Sequence, residues 1–206
     1  VRRFLPAVAA LVLLAGCTSG ASGDSVEAAS STPSPFAACS TPGPSAGAAS
    51  PAAASPGAAS RGAASAGVAA LQGLSIGCFT GDSPVDLGAL RGPAVINIWA
   101  SFCGPCRTEL PVVQKLADKT AGRLTVLGVD SGDRWEAAAS FGADHGVSIP
   151  TLFDQDRKLA GAVGAISLPS TIFIDANGKM YLHRYSMDAA DLSDLLLEHT
   201  GLRVEL

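Results

Sequence analysis

The sequence predicts one α/β domain, confined to residues 71–206. Three observations predict it. Composition changes abruptly near residue 70: 43 of the 53 residues from Thr18 to Ala70 are Ala, Ser, Gly or Pro, whereas residues 71–206 hold nine of the eleven aromatics. Beyond residue 93, short apolar runs alternate with stretches of helical period. A strong turn signature, Asp175-Ala176-Asn177-Gly178, separates two further apolar runs. The 206 residues therefore divide into an N-terminal segment, a low-complexity stretch and a domain of 136 residues, which excludes a two-domain enzyme.

The elements follow in order. Ala94–Trp99 reads as a buried central strand, apolar except for Asn97. A helix follows Cys106, with Leu110, Val113, Leu116 and Ala117 on one face and Gly122 as its stop. Leu124–Val129 is a second buried strand and Trp135–His145 a helix. Thr151–Phe153 is a short strand and Gln155–Val163 a short helix. Thr171–Ile174 and Met180–Tyr185 form a hairpin across the Asn-Gly turn. A last helix runs from about Asp188 to Thr200, burying Leu192, Leu195 and Leu196, and stops at Gly201.

The first residues read as an address. Arg2 and Arg3 precede an apolar run from Phe4 to Ala15, as long as a signal-peptide core and too short to span a bilayer. The run ends Leu14-Ala15-Gly16-Cys17, which resembles the lipobox of bacterial lipoproteins. That resemblance implies a signal peptide at 1–16, cleavage after Gly16, lipid on Cys17 and a mature domain outside the cytoplasm, anchored to the cell membrane. Residues 17–70 are then a tether. With Phe36 as the main exception it lacks large apolar side chains, so it is expected to be disordered. A flexible chain of that length spans roughly 40 Å. The domain carries eleven Lys/Arg against sixteen Asp/Glu, with no basic run, so nucleic acid is not an expected partner.

Cys103-Gly104-Pro105-Cys106 sits where a strand hands over to a helix. A thiol at a helix N-terminus faces unpaired backbone N–H groups, which favour its thiolate. Cys103 is expected to be the nucleophile. Cys106, one turn on, is placed to resolve a mixed disulfide. Gly104 and Pro105 shape the turn between them. A lone CxxC is also half a zinc site, but no second CxxC or HxxxH exists, and His145, His183 and His199 are scattered. No metal is expected.

Val95–Pro111, with its Trp99-Ala-Ser-Phe102-Cys-Gly-Pro-Cys106 core, together with Ser167–Asp175, resembles the thioredoxin superfamily. The closer likeness is to its membrane-anchored TlpA/ResA-type thiol–disulfide oxidoreductases. Weaker matches, including Val85–Gly92, extend the resemblance over about 75–200. It implies a thioredoxin-like fold, a central mixed sheet flanked by helices, with an insertion before the cis-proline strand. The insertion is Asp130–Ser170, forty-one residues where thioredoxin needs one helix. The resemblance also implies that Trp99 packs beside the redox pair and that Phe102 stands where relatives have a second tryptophan. Pro111 would kink the active-site helix. Pro169 would be the cis-proline opposite the CxxC, and Leu168 a substrate-contact position. Asn97 departs from the aspartate of cytosolic thioredoxins and agrees with the anchored branch. Glu109 matches a glutamate of that branch: buried, it could move the proton that activates Cys106; the alternative is a solvent-facing helix glutamate.

Cys39 and Cys78 remain. In an oxidising compartment they suggest a structural disulfide, for which the chain-entropy estimate is roughly 4 kcal/mol. The alternatives are a free Cys39 with a buried Cys78, or a second redox pair. The expected function is reduction of protein disulfides by a lipid-anchored, cofactor-free monomer, re-reduced by a membrane electron donor, as in cytochrome c maturation. The same chemistry run backwards would oxidise protein thiols. Two alternatives are weaker: a non-catalytic binding module would not need two thiols at a helix N-terminus, and a copper-delivery protein of this fold uses CxxxC with a histidine, where this chain has CxxC with Pro169 expected opposite it. A peroxiredoxin has a threonine three residues before its reactive cysteine, where Cys103 has Ala100.

Overall fold

The structure is a computed structural model, which describes residues 33–39, 70–81 and 83–206. The signal segment and Cys17 lie outside these residues, as does most of the stretch expected to be a tether. The described domain contains β1 (Ser75–Gly77), β2 (Pro84–Asp86), β3 (Ala94–Trp99), α1 (Gly104–Thr120), β4 (Thr125–Ser131) and α2 (Trp135–His145). These are followed by β5 (Thr151–Asp154), α3 (Lys158–Val163), β6 (Ser170–Ile174), β7 (Met180–His183) and α4 (Ala189–Thr200).

The main sheet has the order β5-β4-β3-β6-β7. β3 pairs parallel with β4 and antiparallel with β6, so the sheet is mixed. β3 is buried at all six positions because both of its faces are covered. Val95 and Trp99 belong to the core on one face, with Leu110, Val113, Phe141, Leu192 and Leu196. Ile96 and Ile98 belong to the other, with Leu87, Leu127, Leu152 and Leu159. The period of two thus splits one apolar run between two cores.

Local chemistry sets the ends of the elements. Asp188 and Asp191 form a capping box at the start of α4. In the hairpin, the Asp175 carboxylate accepts from the N–H groups of Asn177 (2.8 Å) and Lys179 (2.7 Å), closing the turn between β6 and β7. β7 ends at His183, two residues before the expected end. α3 begins at Lys158, three residues later than expected, because the Asp154 carboxylate accepts from the N–H groups of Lys158 (2.8 Å) and Leu159 (2.9 Å) and caps it there. Ala117 and Leu195, expected in the core, are only half-buried.

The largest departure concerns residues 33–39. Expected to be part of a disordered tether, they pack against the domain. Phe36 is 2% exposed and meets Phe79 and Trp99 edge-on, with ring centroids 4.8 and 5.9 Å apart. Ala37 N–H donates to Ser148 O (2.9 Å), and the Thr80 hydroxyl donates to Phe36 O (2.7 Å). A disulfide joins Cys39 to Cys78, and Cys78 in turn forms a β-bridge with Leu152 of β5. Gly142, inside α2, leaves room for the ring: a Cβ there would stand 2.7 Å from Phe36 Cζ. The physical reason is that the only large apolar side chain of that stretch finds a site in the core, and a covalent link holds it near. We expect Phe36→Ala to destabilise the domain by about 3 kcal/mol, read as a lowered thermal midpoint.

Candidate active site

Cys103 is the N-cap residue of α1, in extended conformation (φ −81°, ψ 107°). Its sulfur accepts from Cys106 N–H (3.2 Å), one of the N–H groups that the helix start leaves unpaired. The two cysteines are joined as a disulfide, so this is the oxidised form of the pair. Cys103 retains 8% exposure and Cys106 none, which ranks them: only Cys103 can be reached from outside. Pro105 lies in the first turn of the helix, where its missing N–H costs nothing.

The other residues singled out from the sequence are placed as follows. Trp99 is fully buried beside Phe36 and Phe141. Phe102 is 62% exposed. The Leu168–Pro169 peptide is cis, and Leu168 lines a groove of about 370 Å³ together with Phe102, Cys103 and Pro105. Pro111 lies inside α1. Gly104 is exposed at the first position of the helix.

Glu109 is 1% exposed, so of its two alternative placements the structure takes the buried one. Its Oε1 accepts from Asn97 Nδ2 (2.6 Å) and, more weakly, from the Thr171 hydroxyl (3.3 Å). Oε2 accepts from Met187 N–H (2.9 Å). Burial pushes its carboxyl above the usual carboxylate range, and the three hydrogen bonds only partly oppose this. No Lys or Arg pairs with it among the described residues. The group therefore takes up a proton more readily than an ordinary glutamate.

A second buried carboxyl carried no signal in the sequence. Asp130 is fully buried at the end of β4, in register with Trp99, and neither of its oxygens has a donor. Burial, followed by the nearby carboxylates of Asp133 and Asp154, raises its pKa to about 9. A proton on Asp130 relieves the repulsion and makes it a donor towards Asp133. Asp133 accepts from Ser101 N–H, on the loop just before Cys103. Asp154 caps α3. The expected strand stops at Val129, one residue short of Asp130. Pairing with β5 carries the strand on to Ser131. Among the described residues no three His, Cys, Asp or Glu side chains converge as a metal-ligating set.

Comparison with known proteins agrees with this geometry. The profile of the AhpC/TSA family matches residues 75–183. The thiol:disulfide interchange protein DsbE of Pseudomonas fluorescens biotype C is 37% identical over 100 residues, 48% of this chain and 54% of that protein. The thiol-disulfide oxidoreductase ResA of Bacillus subtilis is 31% identical over 104 residues, 49% of this chain and 58% of that protein. The chain thus spans about half the length of the curated relatives it matches. The solved structure of MTB DsbF, in mixed oxidised and reduced forms, superposes with a TM-score of 0.59 at 28% identity, covering 64% of this chain and 98% of that one. The fold is thioredoxin-like.

Asp130 gives a pH prediction. Its folded pKa lies far above its ordinary value of 3.8. Between about pH 4 and pH 9 the native state holds a proton that the unfolded state has lost, so stability falls as pH rises through that window. Asp130→Asn keeps the neutral form. It should raise the thermal midpoint at pH 7 by several degrees, equivalent to a few kcal/mol at most, with the gain vanishing near pH 4.

Proposed function

The chain belongs to the AhpC/TSA family, and on that premise we propose that it is a thiol–disulfide oxidoreductase working outside the cytoplasm. In this reading lipid on Cys17 holds it at the membrane, and Cys103 and Cys106 reduce protein disulfides. The observation that carries the reading is the asymmetry of the pair: a reachable Cys103 at the helix N-terminus beside a groove, and a fully buried Cys106 one turn behind it.

In the reduced protein the helix N-terminus favours the Cys103 thiolate. That thiolate attacks one sulfur of a partner disulfide; a Cys103–partner S–S bond forms, and the other partner sulfur leaves as a thiolate and takes a proton. Cys106 then gives up its proton, attacks Cys103 Sγ and displaces the second partner thiolate. Glu109, three residues along α1 from Cys106 on the same buried stripe, is the acceptor for that proton; its raised pKa suits the task. The Leu168 backbone, beside the cis peptide, serves as the strip along which the partner chain lies. The partner leaves with two thiols and this protein leaves with the disulfide.

A membrane electron donor must then return two electrons and two protons to the pair. No cofactor enters the cycle, and the protein acts as a monomer. The likeness to the TlpA/ResA branch points to cytochrome c maturation as the setting.

The reduced full chain should reduce insulin, and Cys103→Ser should abolish this. A wild type no faster than Cys103→Ser returns the protein to the class of non-catalytic binding modules. Its reduction potential should lie near the roughly −270 mV of thioredoxin; a value near the roughly −120 mV of DsbA reverses the direction of electron flow. Glu109→Gln should slow the resolving step on the order of a hundredfold and flatten its pH profile, read by following decay of a Cys103 mixed disulfide.

A further inference from the structure

The groove beside Cys103 has a wall that the redox chemistry leaves unused. Phe102, Pro105 and Leu168 line it, and so does Arg157, the one charged side chain among the described residues that line it. Its placement is unusual. Arg157 is the only residue other than glycine with a positive φ among the described residues (φ 57°, ψ 35°). The left-handed region is strained for an L-residue with a Cβ, so the surrounding structure must hold it there.

The guanidinium lies against the Gly132 backbone: a Cβ there would stand 2.2 Å from Arg157 Nε. Among the described residues no carboxylate lies within ion-pair distance of Arg157, and its side chain makes no hydrogen bond. The carboxylates close to it in sequence have other partners: Asp154 accepts from the Lys158 and Leu159 N–H groups, and Asp156 pairs with Lys158. A guanidinium offers five donors in a planar fork that fits a carboxylate. The rest of the groove is largely apolar, with Ile166 at 90% exposure and Phe102 at 62%. The domain as a whole is acidic, so this cation offsets a field that would otherwise repel an acidic partner.

We propose that Arg157 selects disulfide partners that carry an Asp or Glu side chain near the attacked cysteine, with an apolar side chain beside it to cover Phe102 and Ile166. The inference rests on the oxidoreductase reading and names the substrate class of that same site. Arg157 acts here as a specificity residue and takes no part in bond making.

The test uses two peptides, each presenting a mixed disulfide at a cysteine preceded by leucine and followed by either glutamate or glutamine. Second-order rates of reduction by the reduced full chain are measured at low and at high salt. The wild type should reduce the glutamate peptide about two- to fivefold faster, the range open to one solvent-exposed ion pair, and the preference should shrink at high salt. Arg157→Gln should abolish the preference, read as the ratio of the two rates falling to about one. Arg157→Gly, whose backbone accepts the same φ without strain, should do likewise and guards against misfolding of the first variant. Arg157→Lys should retain part of the preference. Equal rates on the two peptides in the wild type, or a preference that survives Arg157→Gln, overturn the inference while leaving the oxidoreductase reading intact. A wild type that reduces neither peptide overturns both.

Discussion

The carboxylate of Glu109 is the knot on which the site depends. It lies on α1, which carries the dithiol, and binds Asn97 of β3, Thr171 of β6 and the backbone of Met187 just before α4. Four elements from distant parts of the chain are referred to one side chain. The knot is under tension. All three partners donate, which suits an ionised acceptor, yet burial favours the neutral form. A proton arriving at Oε1 need not break the knot. The Thr171 hydroxyl can rotate from donor to acceptor, and it makes the longest of the three bonds. Asn97 Oδ1, buried without a partner, is a further polar atom within the same cluster. The group can therefore change charge without moving the helix that holds the cysteines.

A different economy governs the neighbouring strands β4 and β5. Asp130, Asp133 and Asp154 gather near the C-terminal ends of β4 and β5, and two of them, Asp133 and Asp154, are tied to backbone that the site uses. Asp133 fixes the loop before Cys103, and Asp154 fixes the start of α3. Asp130 lies close to both, and neutrality there keeps the trio from repelling itself apart. Stability is given up to place two caps close to the redox pair. The same cap on α3 precedes the left-handed turn at Arg157, so the charge lining the groove and the loop under Cys103 share one support.

How much of this could be read in the sequence follows from range. The CxxC at a strand-to-helix handover, the Asn-Gly hairpin and the capping aspartate of α4 are local signals, and each stands where the residues put it. Glu109 was half-legible. The spacing Cys106, Glu109, Val113, Leu116 places it on the buried stripe, but its charge pulls the reading towards solvent. Asp130 was illegible, because pairing with β3 on one side and β5 on the other is what keeps it inside the sheet. Phe36 was misread, because composition describes a stretch on average, whereas one aromatic side chain with a waiting cavity is enough to dock it.

The Cys39–Cys78 bond, taken with that docking, changes the covalent graph of the molecule. Residues 39–78 form a closed ring, and one part of the ring is fastened to the core. A single peptide-bond cleavage inside the ring opens it without separating the N-terminal portion from the domain. A pull applied ahead of Cys39 passes through the sulfur–sulfur bond to the flank of β5 and bypasses everything between.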